Sequence, residues 1–328
     1  MIRVSSPTRV DLAGGTLDMW PLSMFVTRAL TVNVAIDIYT HAQIEECEKI
    51  VLRSDDLKQT FEFSNQQELF ADTRPELSYF QEVIRYCQPQ KNFRLQTRSE
   101  SPIGGGLGGS SSLMISLLKA FYAFDRREVP EVVTLTDIAH HLEAKILKTP
   151  TGIQDYVPAI QGGISFIECG VDGVKTSCLD VDPQVWNEHF LLVYTGRSHH
   201  SGLNNFEVLT QATKKNQDTL TSLQKLSDVA IQMKTLCQTQ NWGQMPALFE
   251  QEYEHRLRLA PAFSSPEIKR LAEIASSFGI KSVKICGAGG GGCVLIWCPS
   301  IQIKKQIEDQ CEKEKFLPMT AKPVPKLS

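Results

Sequence analysis

The chain has 328 residues, 42% of them hydrophobic, and a formal net charge of −3 with both signs scattered along it. That length and apolar content supply cores for two ordinary domains. The near balance of charge lacks the basic face expected of a nucleic-acid binder, yet leaves room for a phosphorylated ligand, which needs only a few donors.

Nine cysteines, an odd number without a regular framework, suit a reducing cytosol better than secretion. Cys286, Cys293 and Cys298 are not spaced as C-x-x-C and read as small buried apolar residues rather than a zinc site. The opening MIRVSSPTRVDLAGG has no basic segment followed by an apolar core. The longest apolar runs, such as Phe190 to Val193, are strand-sized and too short to cross a bilayer. A cytoplasmic protein without membrane contact is the expectation.

In chain order, β-branched and apolar residues in short, partly alternating runs predict strands at 2–12, 30–38, 42–53 and 59–64. A helix follows at 76–88 and a strand at 93–98, where Phe93 and Leu95 alternate with polar neighbours. After a glycine-rich loop come an apolar helix at about 110–124 and a second at about 136–148. Thr136 is the expected cap of that second helix, with Ile138, Leu142 and Ile146 on one face. Phe190 to Tyr194 reads as a buried strand. Helices are expected at 203–217, 219–239, 243–258 and 265–279, then strands at 281–286 and 293–298 around a second glycine run. A helix at about 301–315 leads into a Lys- and Pro-containing tail, expected to be a loose surface segment. The composition shifts near residue 185, which divides the chain into 1–185 and 186–328 without a marked linker.

The loop Pro102 to Ser112, PIGGGLGGSSS, follows a strand and opens a helix. Free backbone N–H groups and the helix dipole converge there on an anion, and glycines let a phosphate approach the backbone. A purely structural connection rarely needs five glycines in the six positions 104–109. Gly104, Gly106 and Gly109 formally satisfy the dinucleotide pattern G-x-G-x-x-G. The acidic residue that pattern requires would be Asp125, which lies in a polar stretch, DRREVPE, rather than at the end of a strand. A Walker A loop fails because no lysine follows the last glycine.

Three segments taken together resemble the GHMP kinases, the family of galactokinase, homoserine kinase, mevalonate kinase and phosphomevalonate kinase. SSPTRVDLAGGTLD (5–18) resembles the family's first motif, PIGGGLGGSSS its phosphate loop, and KICGAGGGGCV (284–294) its third motif. Their order and spacing extend the resemblance over nearly the whole chain. Within the family the likeness is greatest to D-glycero-D-manno-heptose 7-phosphate kinases and fucokinase-like sugar kinases, through GGTLD at 14–18, TGIQDYVPAIQGG at 151–163 and EQEYEHRLRLAPAFSSPEI at 250–268. The Glu-His pair of galactokinases is missing after Gly15. The resemblance implies an α+β, two-domain fold: an N-terminal α/β domain with a left-handed β-α-β unit, and a ferredoxin-like C-terminal domain.

It also implies an ATP- and Mg²⁺-dependent transfer of phosphate to a hydroxyl, of anomeric type by subfamily likeness, on a sugar or sugar phosphate. Backbone amides of Gly104, Gly105, Gly106, Gly108 and Gly109, with Ser110 and Ser111, would hold the ATP phosphates. Ser110 and Glu143 would ligate Mg²⁺, although the interval from Glu143 to Asp155 is one residue longer than in mevalonate kinases. Asp155 would be the catalytic base or an electrostatic partner, with Arg9 beside it or beside the reacting oxygen. Asp18, Gly15, Arg197 and Gly289 would serve the substrate. His199 and His200 share a loop with Arg197, and a role for them stays open. His140 and His141 project about 100° apart on a helix, without an H-E-x-x-H pattern, and are not read as zinc ligands. A kinase of a non-sugar alcohol such as mevalonate, and a catalytically inactive sugar-binding regulator, are the competing readings. Association as a homodimer stays open.

Overall fold

A computed structural model describes residues 1–198, 201–287 and 289–327; His199 and His200 lie outside the described residues. The chain runs through β1 (Ile2–Ala13), β2 (Ala29–Glu46), β3 (Ile50–Ser54), β4 (Gln59–Phe63), α1 (Gln66–Ala71), α2 (Ser78–Cys87) and β5 (Phe93–Ser99). It continues through α3 (Gly109–Phe124), α4 (Val132–Leu147), α5 (Tyr156–Gln161), β6 (Ile164–Gly170), β7 (Gly173–Leu179), α6 (Pro183–His189) and β8 (Phe190–Tyr194). Then come α7 (Ser201–Thr213), α8 (Gln217–Thr239), α9 (Met245–Leu259), α10 (Pro266–Ser277), β9 (Lys284–Ile285), β10 (Cys293–Trp297), α11 (Ile301–Lys313) and β11 (Leu317–Met319).

The larger sheet has the order β4-β3-β5-β2-β6-β7, with β1 also paired to β2. The long β2 is its spine. Its Val32–Ile44 stretch pairs with β1, while β6 (along Ala29–Val34) and β5 (along Thr40–Glu46) share the opposite edge. Two separate strands are expected at 30–38 and 42–53; instead β2 runs straight through Tyr39-Thr40-His41 to Glu46, and the break falls before β3 at Ile50. The reason is a partner for the buried hydroxyl: Thr40 Oγ1 lies 2.9 Å from Ser112 Oγ and 3.0 Å from Ser116 Oγ of α3. A polar residue satisfied in this way can stay inside a strand.

The smaller sheet has the order β11-β8-β10-β9, all antiparallel. Numbered within itself this is 4-1-3-2, with helices between its first and second and between its third and fourth strands, the β-α-β-β-α-β ferredoxin-like arrangement. Phe190 and Leu192 pack toward β1, β2 and β6, whereas Leu191 and Val193 pack against α10 and α11. Both faces are covered, which is why β8 reads as an unbroken apolar run.

Three expectations are corrected. The helix assigned to 136–148 begins a turn earlier, at Val132, with Leu135 N–H bonded to Glu131 O at 2.8 Å. Thr136 is buried inside it rather than capping it, so the β-branched Val132 and Val133 belong to the first turn despite their weak propensity. The strand expected over 281–286 is reduced to Lys284–Ile285. The tail is not loose: Val324 N–H donates to Ala35 O (2.9 Å), Asp37 N–H to Lys322 O (2.9 Å), and Leu327 N–H to Gln161 O (2.8 Å). It fills the gap along β2 between β5 and β6, and Ala321 and Val324 are buried. Its polar composition hid a pairing made through backbone groups. Cys286, Cys293 and Cys298 are fully buried, as expected. No helix among the described residues is long and apolar enough to cross a membrane.

Candidate active site

A cleft of about 660 Å³ opens where the glycine loop before α3 meets β1, the start of α5 and the second glycine run. Its lining includes Arg9, Asp18, Gly104, Gly105, Gly106, Gly108, Gly109, Ser110, Ser111, Glu143, Asp155 and Gly287. The expected phosphate, metal and catalytic residues therefore share one space. Three expected substrate residues lie off that lining: Gly15 packs on Asp11 and Arg256, Gly289 on Phe263 O, and the exposed Arg197 pairs with Glu267 at 3.5 Å.

The phosphate loop takes its shape from glycines at the positions that need them. Gly108 precedes α3 with φ +72 and no side chain caps the helix, so the amides of the first turn face the cleft. A Cβ on Gly108 would stand 2.9 Å from Asp155 Cγ, so the loop and the carboxylate are in contact. Gly287 has φ +66, and its Cβ would stand 2.9 Å from Gly106 Cα. The two glycine runs therefore touch backbone to backbone, and Cys293 N–H donates to Gly105 O at 2.8 Å.

Asp155 sits at the N-terminus of α5, its side chain about a quarter exposed. Arg9 Nε donates to Asp155 Oδ1 at 2.7 Å and Arg9 Nη1 to Gly106 O at 2.6 Å. One buried guanidinium thus fixes both the carboxylate and the phosphate loop. Burial alone would lower the pKa of Arg9, but Asp155 and Asp11 beside it hold it above its ordinary value.

Glu143 of α4 is buried and accepts from Ser110 Oγ (2.8 Å), Ser111 Oγ (2.8 Å) and Tyr156 Oη. Burial raises its pKa against the opposing pull of those hydroxyls. Ser110 and Glu143 offer adjacent hard oxygen donors at the foot of the phosphate loop, a set whose chemistry suits Mg²⁺. Tyr156, absent from the sequence-based expectations, follows Asp155 directly, so a single turn of α5 supplies one residue to Arg9 and the next to Glu143. Tyr79 also joins the site, donating to Ser110 O at 2.6 Å. Tyr79 lies on the amphipathic α2 and Tyr156 at the start of the short α5, and neither hydroxyl carries a sequence signal of its own.

Asp18 Oδ2 accepts the amides of Ile153 (2.7 Å) and Gln154 (2.9 Å), which ties the first motif to the Asp155 segment. Its Oδ1 is buried with no hydrogen-bond partner among the described residues. Burial pushes its pKa up to about 6, and the charge of Asp155 adds to the rise. A carboxyl raised in the folded state costs nothing below its ordinary value of 3.8, costs progressively more as pH climbs to about 6, and costs the full amount above that. Asp18→Asn is therefore expected to stabilise the fold at pH 8 by about 3 kcal/mol, at 1.36 kcal/mol per unit. The gain should shrink as pH falls from 6 toward 3.8. Thermal melts of both proteins across that range check it; a pH-independent difference would contradict it.

A second group of charges lies behind the cleft. Asp11 Oδ2 is 2.9 Å from both Arg256 Nη2 and Lys284 Nζ, and Glu252 Oε1 is 3.1 Å from Arg256 Nε and 3.2 Å from Lys284 Nζ. All four side chains are at most 2% exposed. Burial acts to raise Asp11, but Lys284 and Arg256 hold it below the usual carboxylate range. All four residues lie in segments that carry the family resemblance, but nothing in those segments marks them as partners; the i,i+4 spacing of Glu252 and Arg256 equally describes a solvated helix face.

Two family models match the chain: the GHMP kinases N terminal domain over residues 78–163 and the GHMP kinases C terminal model over 233–316. A D-glycero-alpha-D-manno-heptose 7-phosphate kinase of Campylobacter jejuni is 24% identical over 307 residues, spanning 90% of this chain and 89% of that protein. A mevalonate kinase of Methanocaldococcus jannaschii is 25% identical over 277 residues, spanning 81% and 84%. Among solved structures, a D-glycero-D-manno-heptose 1-phosphate kinase of Bacteroides thetaiotaomicron superposes with a TM-score of 0.76 at 21% identity, covering 99% of this chain and 97% of that one. At that identity the superposition speaks for the fold.

Proposed function

Because the chain belongs to the GHMP kinase family, whose members are ATP-dependent phosphotransferases with an alcohol acceptor, we propose that its acceptor is a sugar or sugar phosphate such as D-glycero-D-manno-heptose 7-phosphate. The observation that carries this reading is that Asp155, Arg9 and Asp18 line the same cleft as the phosphate loop, with Arg9 bonded to both Asp155 and Gly106 O. The likeness to the heptose 7-phosphate kinase over most of both chains supports the sugar class. The mevalonate kinase likeness keeps a non-sugar alcohol as the alternative that experiment must separate.

In this reading the amides of Gly104 to Gly109 and the start of α3 bind the triphosphate. Ser110 and Glu143 hold Mg²⁺, which supplies charge neutralisation on the phosphate oxygens when bound. Asp155 orients the acceptor hydroxyl and takes its proton as the new P–O bond forms and the bond from the γ-phosphorus to the β–γ bridging oxygen breaks, so that ADP leaves with that oxygen. Arg9 aims Asp155, its Nε donating to Oδ1 at 2.7 Å. The buried, unpartnered Oδ1 of Asp18 is assigned to accept from an acceptor hydroxyl; the amides on Oδ2 fix the direction in which it points. The anomeric hydroxyl is the proposed site of transfer, and a homodimer and a cytoplasmic setting go with this assignment.

The test is a split of kinetic constants. Asp18→Asn loses a hydrogen bond to a charged group, about 1.5–3 kcal/mol, and so raises KM for the acceptor about 10- to 100-fold. KM for ATP stays at the wild-type value. An unchanged acceptor KM would remove Asp18 from the acceptor site.

A further inference from the structure

Four buried charges between the two halves of the molecule have no place in the chemistry described above. Asp11 comes from β1, Glu252 and Arg256 from α9, and Lys284 from β9. Formally the group is neutral, two carboxylates against two cations. Such a network is a poor source of stability, because the desolvation of each ion offsets much of the attraction, and an apolar replacement of equal volume is often as stable or more so. Asp11 Oδ1 and Glu252 Oε2 are buried without a hydrogen-bond partner among the described residues, which adds to that cost. Stability alone therefore does not account for the group.

Its contacts point to the cleft on both sides. Arg256 Nη1 donates to Gly287 O at 3.1 Å, and Gly287 is the residue of the second glycine run that packs on Gly106 of the phosphate loop and lines the cleft. On the other side, Asp11 lies two residues from Arg9 on β1, so both side chains leave the same face of the strand. Arg9 in turn holds Asp155 and Gly106 O. Gly15 fits against the pair only because it lacks a side chain: a Cβ there would stand 2.3 Å from Asp11 Oδ2 and 2.5 Å from Arg256 Nη2. Gly15 of the first motif, expected at the substrate, thereby belongs to this cluster instead.

We propose that Arg256, fixed by Asp11, Glu252 and Lys284, is a positioning residue that sets the second glycine run against the phosphate loop and so fixes the geometry in which transfer occurs. Of the cations in the group, only Arg256 reaches Gly287 O, and its planar fork serves Glu252, Asp11 and that carbonyl in three directions at once. A lysine, with one flexible ammonium, cannot reproduce that set.

The inference rests on the phosphoryl-transfer reading, and its test separates the two. The quadruple variant Asp11→Leu, Glu252→Met, Arg256→Met, Lys284→Met removes every charge of the group at once and leaves no ion unpaired. Its melting temperature is expected to equal or exceed that of the wild type, whereas kcat with Mg·ATP and D-glycero-D-manno-heptose 7-phosphate falls about 10- to 100-fold, the size of a loss of alignment. Deuterium exchange at the Gly289–Gly292 amides should accelerate in the same variant while the melting temperature does not fall, a pair of readouts that a loss of global stability would not give. Wild-type kcat and wild-type exchange in the folded variant would overturn the proposal. Should the quadruple variant not fold, Arg256→Lys keeps the charge and is expected to show the same fall in kcat; full activity in it would overturn the proposal equally. An inactive wild type would instead count against the choice of acceptor.

Discussion

Asp155→Ala lowers kcat about 10²- to 10⁴-fold, the range a positioned proton acceptor contributes, while the affinity for ADP stays at the wild-type value. The separation follows from the geometry. The nucleotide phosphates would lie on the amides of the glycine loop, whereas the Asp155 carboxylate meets the backbone of that loop only through contact with Gly108. Removing the carboxylate leaves Arg9 still bonded to Gly106 O at 2.6 Å, so the loop keeps its anchor. Asp155→Asn is the informative companion: it preserves an acceptor oxygen for Arg9 but cannot take a proton. If kcat falls equally in both variants, Asp155 acts on the proton or through its charge; if Asn restores activity, the residue serves mainly to hold Arg9. Steady-state kinetics with calorimetric ADP binding makes the measurement, and an Asp155→Ala enzyme of wild-type kcat would remove the residue from the chemistry.

The second large effect comes from a methyl group. Gly108→Ala places a Cβ 2.9 Å from Asp155 Cγ and 3.0 Å from Asp155 Cβ, at a residue whose φ is +72. The left-handed backbone costs about 1–2 kcal/mol for any residue with a Cβ. The clash adds a displacement of the carboxylate, and misplacement by about 1 Å is worth about 10²-fold in rate. Gly279→Ala is the control. Gly279 has φ +80 and nothing within 4 Å of the added atom, so it should lose comparable stability with no change in kcat. Equal kcat in Gly108→Ala and the wild type would mean that loop and carboxylate are not in register.

These two residues show what the amino-acid sequence can and cannot reveal. The phosphate-loop glycines stand out by composition, whereas Ser110, Glu143, Asp155 and Arg9 are expected through the family resemblance, and the structure brings all of them to one cleft. The resemblance leaves Arg9 beside Asp155 or beside the reacting oxygen, and the structure pairs it with Asp155, 146 positions away. Tyr156 and Tyr79 are not legible, since an aromatic residue among apolar neighbours looks like core until its hydroxyl is found on Glu143 or on Ser110 O. The charges of Glu252 and Arg256 read as helix surface, and only the tertiary packing of α9 against β1 and β9 turns them inward. In the fold, β8 is legible as a fully buried strand, whereas the tail is not, because its pairing with Ala35 and Gln161 runs through backbone atoms that every residue carries. The region from Tyr156 to Leu179 likewise hides α5, β6 and β7 behind short segments with weak periodicity.

The central claim is that this cleft moves phosphate from ATP to a sugar hydroxyl. ADP release measured with Mg·ATP over D-glycero-D-manno-heptose 7-phosphate, fucose, galactose and mevalonate tests it most directly. The account predicts release that depends on a sugar or sugar phosphate and is lost in Asp155→Ala. Release with mevalonate alone, or no release with any of the four, would contradict it.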